Sequence, residues 1–432
     1  MFKRLVMMAA VAASTASLAQ QFPATLVHHA QLPAATLIAP PNDAPDYFQH
    51  SGRFTAGERV EALYNIVDSN TGIARPFLGQ PVQGFSGIRS LGSDRFLVLT
   101  DNGFGSKANS PDAMLMFHEV RANWEGGTIE RLNTTFIRDP NKLVPFPIIS
   151  ETSATRYLTG ADFDLESIQP VAGGYVIGDE FGPWLIHINK EGVVQAVVAT
   201  EVNGQLYRSP DNAFERIANP GQMQAELSAM RSGGYEGMAV SQDGRMLYPL
   251  LEKPIFDAAS NSSETINGQP VLRMFEYDTV NKRFHDKVRF YPLAVASHAI
   301  GDFNMIDEHR ALIIERDSGQ GDAREGWSNN PARFKRIYLV DLRDTDENGV
   351  LRKIAFIDLL AIQDPNNVAP RGSNNGLYTF PFVTIENVDR IDENHIVVAN
   401  DNNFPFSVGR QQGRVDDNEF IVLEVGDFLK AE

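Results

Sequence analysis

The chain has 432 residues, a formal net charge of -17 at pH 7 and 43% hydrophobic residues, enough for a core of ordinary size. This acidity argues against nucleic acid and anionic membrane surfaces as partners, because both need a basic protein face. The sequence has no cysteine, which also excludes disulfides and thiolate metal sites.

The first residues have the pattern of a secretory signal peptide. Lys3 and Arg4 precede an apolar run from Leu5 to Ala13, and small residues continue to Ala19. The apolar run is too short to span a bilayer, so cleavage after Ala19 is predicted. We therefore expect residues 1–19 to be removed, and residues 20–432 to form a single domain that is periplasmic or secreted and monomeric.

A hairpin pattern then occurs five times along the chain. Each copy reads as a strand, a tight turn at acidic or glycine residues, and a second apolar strand that ends in a carboxylate. The copies start at Phe85, Asp164, Tyr235, Asp302 and Ile385. Further apolar segments follow most hairpins, so that each copy could form a four-stranded sheet. In the second copy these segments are Trp184 to Asn189 and Val193 to Thr200.

The repeats predict an all-β chain, with propeller, sandwich and β-helix as the possible architectures. Repetition of a whole four-strand set favours a β-propeller, of five or six blades with insertions. The fifth copy has only the segment Phe420 to Val425 after its hairpin. We expect an N-terminal strand, Ala24 to His29 or Arg59 to Val67, to pair with it and close the ring. A helical insertion is predicted at residues 210–231.

Acidic residues recur at the same two places of the hairpins. Glu166, Glu236 and Glu386 lie in first strands, which line the channel of a propeller, and Ser86 and Phe303 are assigned to the matching positions of the other two copies. The acids that end the second strands would lie beside them: Asp101, Glu180, Glu252, Glu315 and Asp401. Crowded carboxylates repel one another, and a bound divalent cation relieves the repulsion. The alternative is that each acid only accepts hydrogen bonds from turn amides.

Calcium is the cation that these residues predict. It takes six to eight oxygen ligands in flexible geometry, which suits carboxylates, amides and loop carbonyls. Zinc is disfavoured because the sequence has neither an HExxH motif nor a cluster of cysteine and histidine.

The repeats resemble those of the phytase-like family, described as having esterase-like activity related to phytase. The resemblance rests on GFSGI from Gly84, DLESI from Asp164, YEGMAVSQDGRMLYPLLEKP from Tyr235, LIIERDSG from Leu312, and IENV with VVANDNNFP from Ile385. It implies an exported β-propeller, similar to calcium-dependent phytases, with an acidic site at the mouth of its channel. The implied site residues are Glu166, Glu180, Glu236, Glu252, Glu315, Glu386 and Asp401. Asn387 and Phe303 depart from the family pattern.

The first functional hypothesis is a calcium-dependent phosphoric ester hydrolase acting on a small-molecule ester. Glu236 and Glu180 are its predicted catalytic residues, with Glu236 as a general base. Lys253 and Arg316 follow channel acids directly and are its predicted substrate-binding residues. They could instead be outward-facing surface cations, because neighbours in a strand point to opposite faces.

Two further hypotheses share the scaffold. One is a lactonase or carboxylic esterase, and the other is a non-catalytic binding propeller stabilised by calcium. The sequence around Ser86 is similar to a nucleophile elbow but lacks its final glycine and its strand-turn-helix context. The acidic run 344–349 starts like a calcium loop, yet Ala355 stands at position twelve, so a polar turn is favoured.

Overall fold

The computed structural model describes residues 19–215, 228–257 and 260–432, and most of its regular structure is β-strand. Nearly all of the predicted signal peptide, and most of the predicted helical insertion at 210–231, lie outside the described residues. The helices of the described part are a 3-10 turn at Asp46–Gln49 and the α-helix Gly426–Leu429. None of the helices described is long and apolar enough to cross a membrane. The prediction of an all-β chain is confirmed.

Five four-stranded antiparallel units, here called sheets and named first to fifth in chain order, organise the molecule. Each begins with one of the predicted hairpins and is completed by two further strands. A parallel bridge between Thr128 and Gln31 joins the first sheet to the fifth. The strands of the first sheet are Phe85–Gly92, Arg95–Thr100, Met116–Asn123 and Thr128–Phe136; of the second, Leu165–Val171, Gly174–Asp179, Trp184–Asn189 and Val194–Ala199; of the third, Tyr235–Val240, Met246–Leu251, Gln269–Asp278 and Arg283–Pro292; of the fourth, Ala299–Met305, Arg310–Arg316, Lys335–Thr345 and Leu351–Asp358; and of the fifth, Ile385–Arg390, His395–Asn400, Asn418–Glu424 and Thr25–Leu32.

The N-terminal arm completes two of these sheets. Thr25–Leu32 pairs antiparallel with Asn418–Glu424, with Leu26 opposite Leu423 and Ala30 opposite Phe420. Gln20–Phe22 adds a parallel edge strand beside Leu351–Asp358 of the fourth sheet. The expected pairing of Ala24 to His29 with the last strand is therefore present, whereas Arg59 to Val67 lies elsewhere.

Short strands occupy the insertions between and within the sheets. They are Leu37–Ile38, His50–Ser51, Phe54–Thr55, Glu58–Arg59, Ile66–Val67, Ala74–Arg75, Phe77–Leu78, Gln80–Pro81, Glu201–Val202, Gln205–Leu206, Phe256–Asp257, Ser262–Ser263, Thr265–Ile266, Ile362–Gln363, Ser373–Asn374 and Leu377–Tyr378. Several of them precede the first sheet, so the long N-terminal segment folds against the sheets rather than forming a sixth copy of the hairpin.

The first strands of the five sheets, here called the inner strands, contact one another in a closed order. The inner strand of each sheet touches that of the next, and the fifth touches the first. Five apolar clusters follow the same order, each shared by two successive sheets. Leu99 packs with Ile168 in one cluster, and Phe420 packs with Phe85 in another. The core thus lies between the faces of neighbouring sheets.

Every inner strand carries a β-bulge near its start. The register shifts occur at Phe85/Ile88, Leu165/Ser167, Tyr235/Gly237, Ile300/Phe303 and Ile385/Asn387. A bulge leaves one residue unpaired and re-aims its side chain. The bulge position, defined as the residue after the last one paired before the first register shift, is held by Ser86, Glu166, Glu236, Gly301 and Glu386. Phe303 was therefore assigned wrongly, because it pairs inside the strand and is buried in a core cluster.

Candidate functional site

A second recurring position faces the bulges from the neighbouring strand. It is the residue immediately after the partner of the last residue paired before the first register shift, and we call it the end position. It is held by Asp101, Glu180, Glu252, Arg316 and Asp401. Bulge and end positions of one hairpin lie side by side, so the closed order of the inner strands gathers both sets at one end of the ring.

Six carboxylates meet there closely enough to share a cation. Their oxygens form three overlapping groups, within each of which the ligand atoms lie within 4.8 Å of one another. The groups are Asp164, Glu166 and Glu180; Glu166, Glu236 and Glu386; and Glu180, Glu236 and Glu252. Five of the predicted metal-binding residues are thus brought together, with Asp164 as an addition.

The five bulge positions and the five end positions are together called the ring positions, and Arg316 is the one cation among these ten residues. Its Nη2 lies 2.9 Å from Glu386 Oε1 and 3.4 Å from Oε1 of both Glu236 and Glu252. These carboxylates hold the pKa of the buried guanidinium above its ordinary value, against the lowering effect of burial. The alternative in which Arg316 points outward is excluded.

Burial and mutual repulsion raise the pKa of the clustered acids. Burial is the largest cause for Glu166, Glu180 and Glu236, whose pKa values lie well above the usual range, and neighbouring carboxylates add to it. The pKa of Glu386 is also raised by burial, although Arg316 and the hydroxyl of Ser86 oppose the rise. Ser86 donates a hydrogen bond of 3.0 Å to Glu386 Oε2. Without a cation, the site therefore favours protonated carboxyls.

Asp101 and Asp401 extend the acidic site on the side of the first and fifth sheets. Burial raises the pKa of Asp101, and Asp401 and Asp164 raise it further. Burial, followed by the charge of Glu386, raises the pKa of Asp401 to about 8. Neither belongs to the three ligand groups. Both accept backbone hydrogen bonds, from Gly103 at 2.8 Å and Asn403 at 2.6 Å, so strand-end capping accounts for part of their role.

Glu315 does not reach the site, which corrects the prediction made for it. It lies one residue before the end position and points the other way, since successive side chains of a strand alternate. Its carboxylate accepts hydrogen bonds from His298 Nδ1 and the Ala294 amide, both at 2.8 Å, and from Tyr291 at 2.9 Å. Lys353 also pairs with it. Burial alone would raise its pKa, but His298 and Lys353 hold the pKa below its usual value.

Lys253 lies at the rim of the site. Its Nζ is 3.1 Å from Glu252 Oε2 and 3.3 Å from the carbonyl of Arg231, and its side chain is 33% exposed. Burial lowers the pKa of the ammonium, but Glu252 and Glu180 outweigh burial and raise it. Lys253 thus stays charged beside the carboxylates and within reach of solvent.

Asp164 was missed by sequence reasoning although it begins the second copy of the repeat. It precedes its strand, where an acid usually caps a turn. Here Asn102 Nδ2 donates to its Oδ2 over 2.7 Å, while its Oδ1 has no hydrogen-bond partner among the residues described. Asn102 and Asp164 come from different sheets, so only the folded ring reveals their contact.

The donor set fits a hard divalent cation. All the ligands are carboxylate oxygens, the cluster is buried, and Asp164 Oδ1 lacks a partner in the described part of the chain. Oxygen-only, flexible coordination of this kind is preferred by calcium. Calcium itself remains a prediction.

The chain was also compared with known proteins. A model of the phytase-like family, described as esterase-like activity of phytase, matches residues 80–404. The chain belongs to the phytase-like family. The match includes all ten ring positions, from Ser86 to Asp401, and therefore the whole candidate site.

Individual relatives are distant. An "Uncharacterized secreted protein" of Arthroderma benhamiae is 24% identical over 198 residues, which covers 40% of this chain and 38% of the relative. The match thus spans well under two thirds of that relative's length.

Similarity to solved structures is equally weak. A putative 6-phosphogluconolactonase from Bacteroides uniformis is 14% identical with a TM-score of 0.31, covering 80% of this chain and 88% of that one. The WD40 β-propeller domain of Doa1 is 11% identical with a TM-score of 0.30, covering 79% and 93%. Both similarities are distant.

Proposed function

We propose that this member of the phytase-like family is an exported, calcium-dependent hydrolase of phosphoric esters. Family membership indicates a hydrolase. The observation that carries the proposal is the convergence of six carboxylates, among them Glu166, Glu236 and Glu386, around one buried arginine. An acidic site of this kind can accept an anionic ester only if a bound cation offsets its charge.

The proposal includes the architecture that positions the site. We infer that the five sheets are the blades of a five-bladed propeller, closed by Thr25–Leu32. The closed order of inner-strand contacts and the five inter-sheet apolar clusters support this count. The repeated bulge then explains why one end of the channel is acidic.

The residues have separable roles in the proposed reaction. Bound calcium would polarise the phosphorus centre and lower the pKa of an attacking water. Glu236, with its raised pKa, is the proposed base that takes a proton from that water, and the leaving oxygen takes its proton from solvent. Glu180 is the proposed catalytic residue that positions the water from its place among the calcium ligands, which are Asp164, Glu166 and Glu180. Asp101, Glu252, Glu386 and Asp401 complete the acidic wall around them. Arg316 and Lys253 are the proposed donors to the anionic substrate.

Export is part of the proposal and rests on two observations. The N-terminal sequence has the pattern of a signal peptide. A relative carries a name that describes it as secreted. We propose that the chain works as a monomer in the periplasm or outside the cell, on a small-molecule ester.

One assay separates the proposed function from its rivals. Protein stripped of metal is tested with and without calcium on a phosphomonoester, a phosphodiester, phytate and a lactone. Calcium-restored phosphate release is the expected result. Lactone opening instead would identify a carboxylic esterase. No turnover, with a large calcium-dependent rise in melting temperature, would identify a binding protein.

Glu236→Gln and Glu180→Gln test the assignment of the catalytic residues. Each substitution keeps the size of the side chain but removes its carboxylate, so we expect kcat to fall by roughly 10²- to 10⁴-fold. Glu424→Gln, an exposed change at the end of the last strand, is the control. Full activity in both site variants would show that the catalytic groups lie elsewhere.

A further inference from the structure

Arg316 occupies a ring position that four other sheets fill with a carboxylate. At the end positions of the first, second, third and fifth sheets stand Asp101, Glu180, Glu252 and Asp401. The fourth sheet places a guanidinium there, and its bulge position is Gly301, which has no side chain. The fourth sheet therefore contributes a positive charge and no ligand to the ring.

Arg316 contacts residues of the second and third carboxylate groups but makes no hydrogen bond to the first group. Its Nη2 donates to Glu236 and Glu386, which belong to the second group, and to Glu252, which shares the third group with Glu236. None of its hydrogen bonds in the described structure reaches Asp164, Glu166 or Glu180. None of the ion pairs of the described residues involves this group, and Lys253 at the rim acts on it only through its charge near Glu180.

Buried atoms without partners lie on both sides of this division. Asp164, a residue only 4% exposed, has an Oδ1 that accepts no hydrogen bond from an amide, hydroxyl or cationic group of the described residues. The carboxyls of Glu166 and Glu180 beside it can donate to Asp164 only when they are protonated. A buried acceptor left in this state costs free energy unless a ligand satisfies it. On the Arg316 side, Glu252 Oε2 has Lys253 Nζ at 3.1 Å. Arg316 Nε is a buried donor that lacks a partner within the part described.

The geometry points to a single divalent cation held by Asp164, Glu166 and Glu180, with Arg316 standing where a second cation would bind. Nη2 is surrounded at 2.9 to 3.4 Å by one oxygen from each of Glu236, Glu252 and Glu386, as an ion would be. The inference rests on the cation-binding part of the proposed function. It assigns Arg316 as the residue that sets how many ions the ring takes.

The arrangement has a chemical consequence for the ligand. A second ion would carry two positive charges and exchangeable waters, whereas the guanidinium carries one fixed charge and directional donors. The unpartnered Nε of Arg316 can donate to an oxygen of an anion, which fits a phosphate held between the ion and the arginine.

Ion counting tests the inference without any activity assay. Calcium binding is measured by titration calorimetry, and bound calcium is counted by elemental analysis after equilibrium dialysis. We expect one tightly bound ion in the wild-type protein and two in Arg316→Gln, because the substitution frees three carboxylates. Arg343→Gln is the matched control, since Arg343 pairs with Asp341 on the surface, and it should bind one ion.

A second pair of variants tests the site without changing Arg316. Asp164→Asn should weaken calcium binding at least about tenfold, the usual effect of disturbing a metal site. Glu386→Gln should change it far less, because Arg316 rather than the ion holds that side chain. Two ions in the wild type, one ion in a folded Arg316→Gln, or equal effects of Asp164→Asn and Glu386→Gln would each overturn the inference. One bound ion without hydrolysis would instead overturn only the proposed function.

Discussion

The contacts of Ser86 bear on whether the site would use metal-assisted hydrolysis or a serine nucleophile. It holds the bulge position of the first sheet, where three other sheets carry glutamate, and it is 1% exposed. Its hydroxyl donates to Glu386 Oε2, while Arg316 donates to Oε1 of the same carboxylate. These contacts describe a side chain that orients Glu386 rather than one that attacks a substrate.

Ser86→Ala should therefore retain most of the hydrolase activity. The substitution removes one hydrogen bond to Glu386, for which we expect a loss in kcat of at most about tenfold. Loss of a serine nucleophile would instead cost roughly 10⁶-fold. Steady-state kinetics decide between the two, with Ser90→Ala, at the far end of the same strand, as the control. A loss approaching that of a missing nucleophile would revive the serine hydrolase interpretation.

The sequence could not show which of two neighbouring strand residues faces the site. The pattern LIIERDSG offers Glu315 and Arg316 as adjacent candidates, and both are compatible with an alternating strand. The structure assigns Arg316 to the ring because Ile300 pairs with Glu315 and the bulge follows. Acids at the ends of the other four hairpins were located correctly, since a turn and an apolar strand bracket them. Asp164 was missed because it precedes a strand.

At the scale of the element, glycines set how closely the inner strands approach. A Cβ atom on Gly301 would lie 2.1 Å from the carbonyl oxygen of Ile385, and one on Gly237 would lie 2.8 Å from Phe303 Cβ. Glycine in a strand often marks such close approach of another backbone. The residue after Ile385 is Glu386, so this contact also fixes a carboxylate of the site.

Gly301→Ala should damage both stability and the site. Overpacking between strands costs about 2 to 3 kcal/mol, so we expect unfolding at lower urea and weaker calcium binding as Ile385 shifts. Gly92→Ala is the control, because a Cβ there meets nothing within 4 Å and only its positive φ opposes the change, at about 1 kcal/mol. Equal effects of the two substitutions on urea unfolding would show that a methyl group at Gly301 fits between the inner strands.

Most of the strands, but not the bulges, can be predicted from the sequence. All five hairpins and most third and fourth strands follow from apolar alternation and turn residues. The bulges cannot be predicted in this way. The alternation of apolar and polar residues is compatible with the strand pairing before or after an extra residue such as Glu166, so it does not show where the register shifts. The five copies of the hairpin could be counted in the sequence. The closure of the ring could not be predicted with certainty, because two N-terminal segments were candidates to pair with Asn418–Glu424.

At the scale of the whole molecule, a buried ion network ties the chain's two ends to an insertion. Glu419 of the last strand contacts His29 of the N-terminal strand at 3.2 Å, Arg410 at 2.8 Å and Tyr378 at 3.0 Å. Burial would raise the pKa of Glu419, but Arg410 and His29 outweigh it and hold the pKa well below its usual value. Its ionised form therefore stabilises the fold.

Glu419→Gln should lower the free energy of unfolding at pH 7 by about 3 kcal/mol, because Arg410 loses its buried partner. A carboxyl whose pKa is depressed by folding stabilises the protein above its unfolded-state pKa and loses that effect as pH falls. The difference between variant and wild type should therefore shrink below about pH 4. Glu424→Gln, exposed on the same strand, is the control for urea unfolding at both pH values. A constant difference between pH 7 and pH 3 would contradict the network.

The pairing of Thr25–Leu32 with Asn418–Glu424 also affects the order in which the sheets can form during synthesis. Thr25–Leu32 acquires its antiparallel partner only after residues 33–417 have been made, so four sheets can assemble while this strand has an unpaired edge. Such a long-range pairing is slow to form and leaves a strand available for mispairing in the meantime. Nascent chains truncated before Asn418 should therefore depend on chaperones more than the finished protein does.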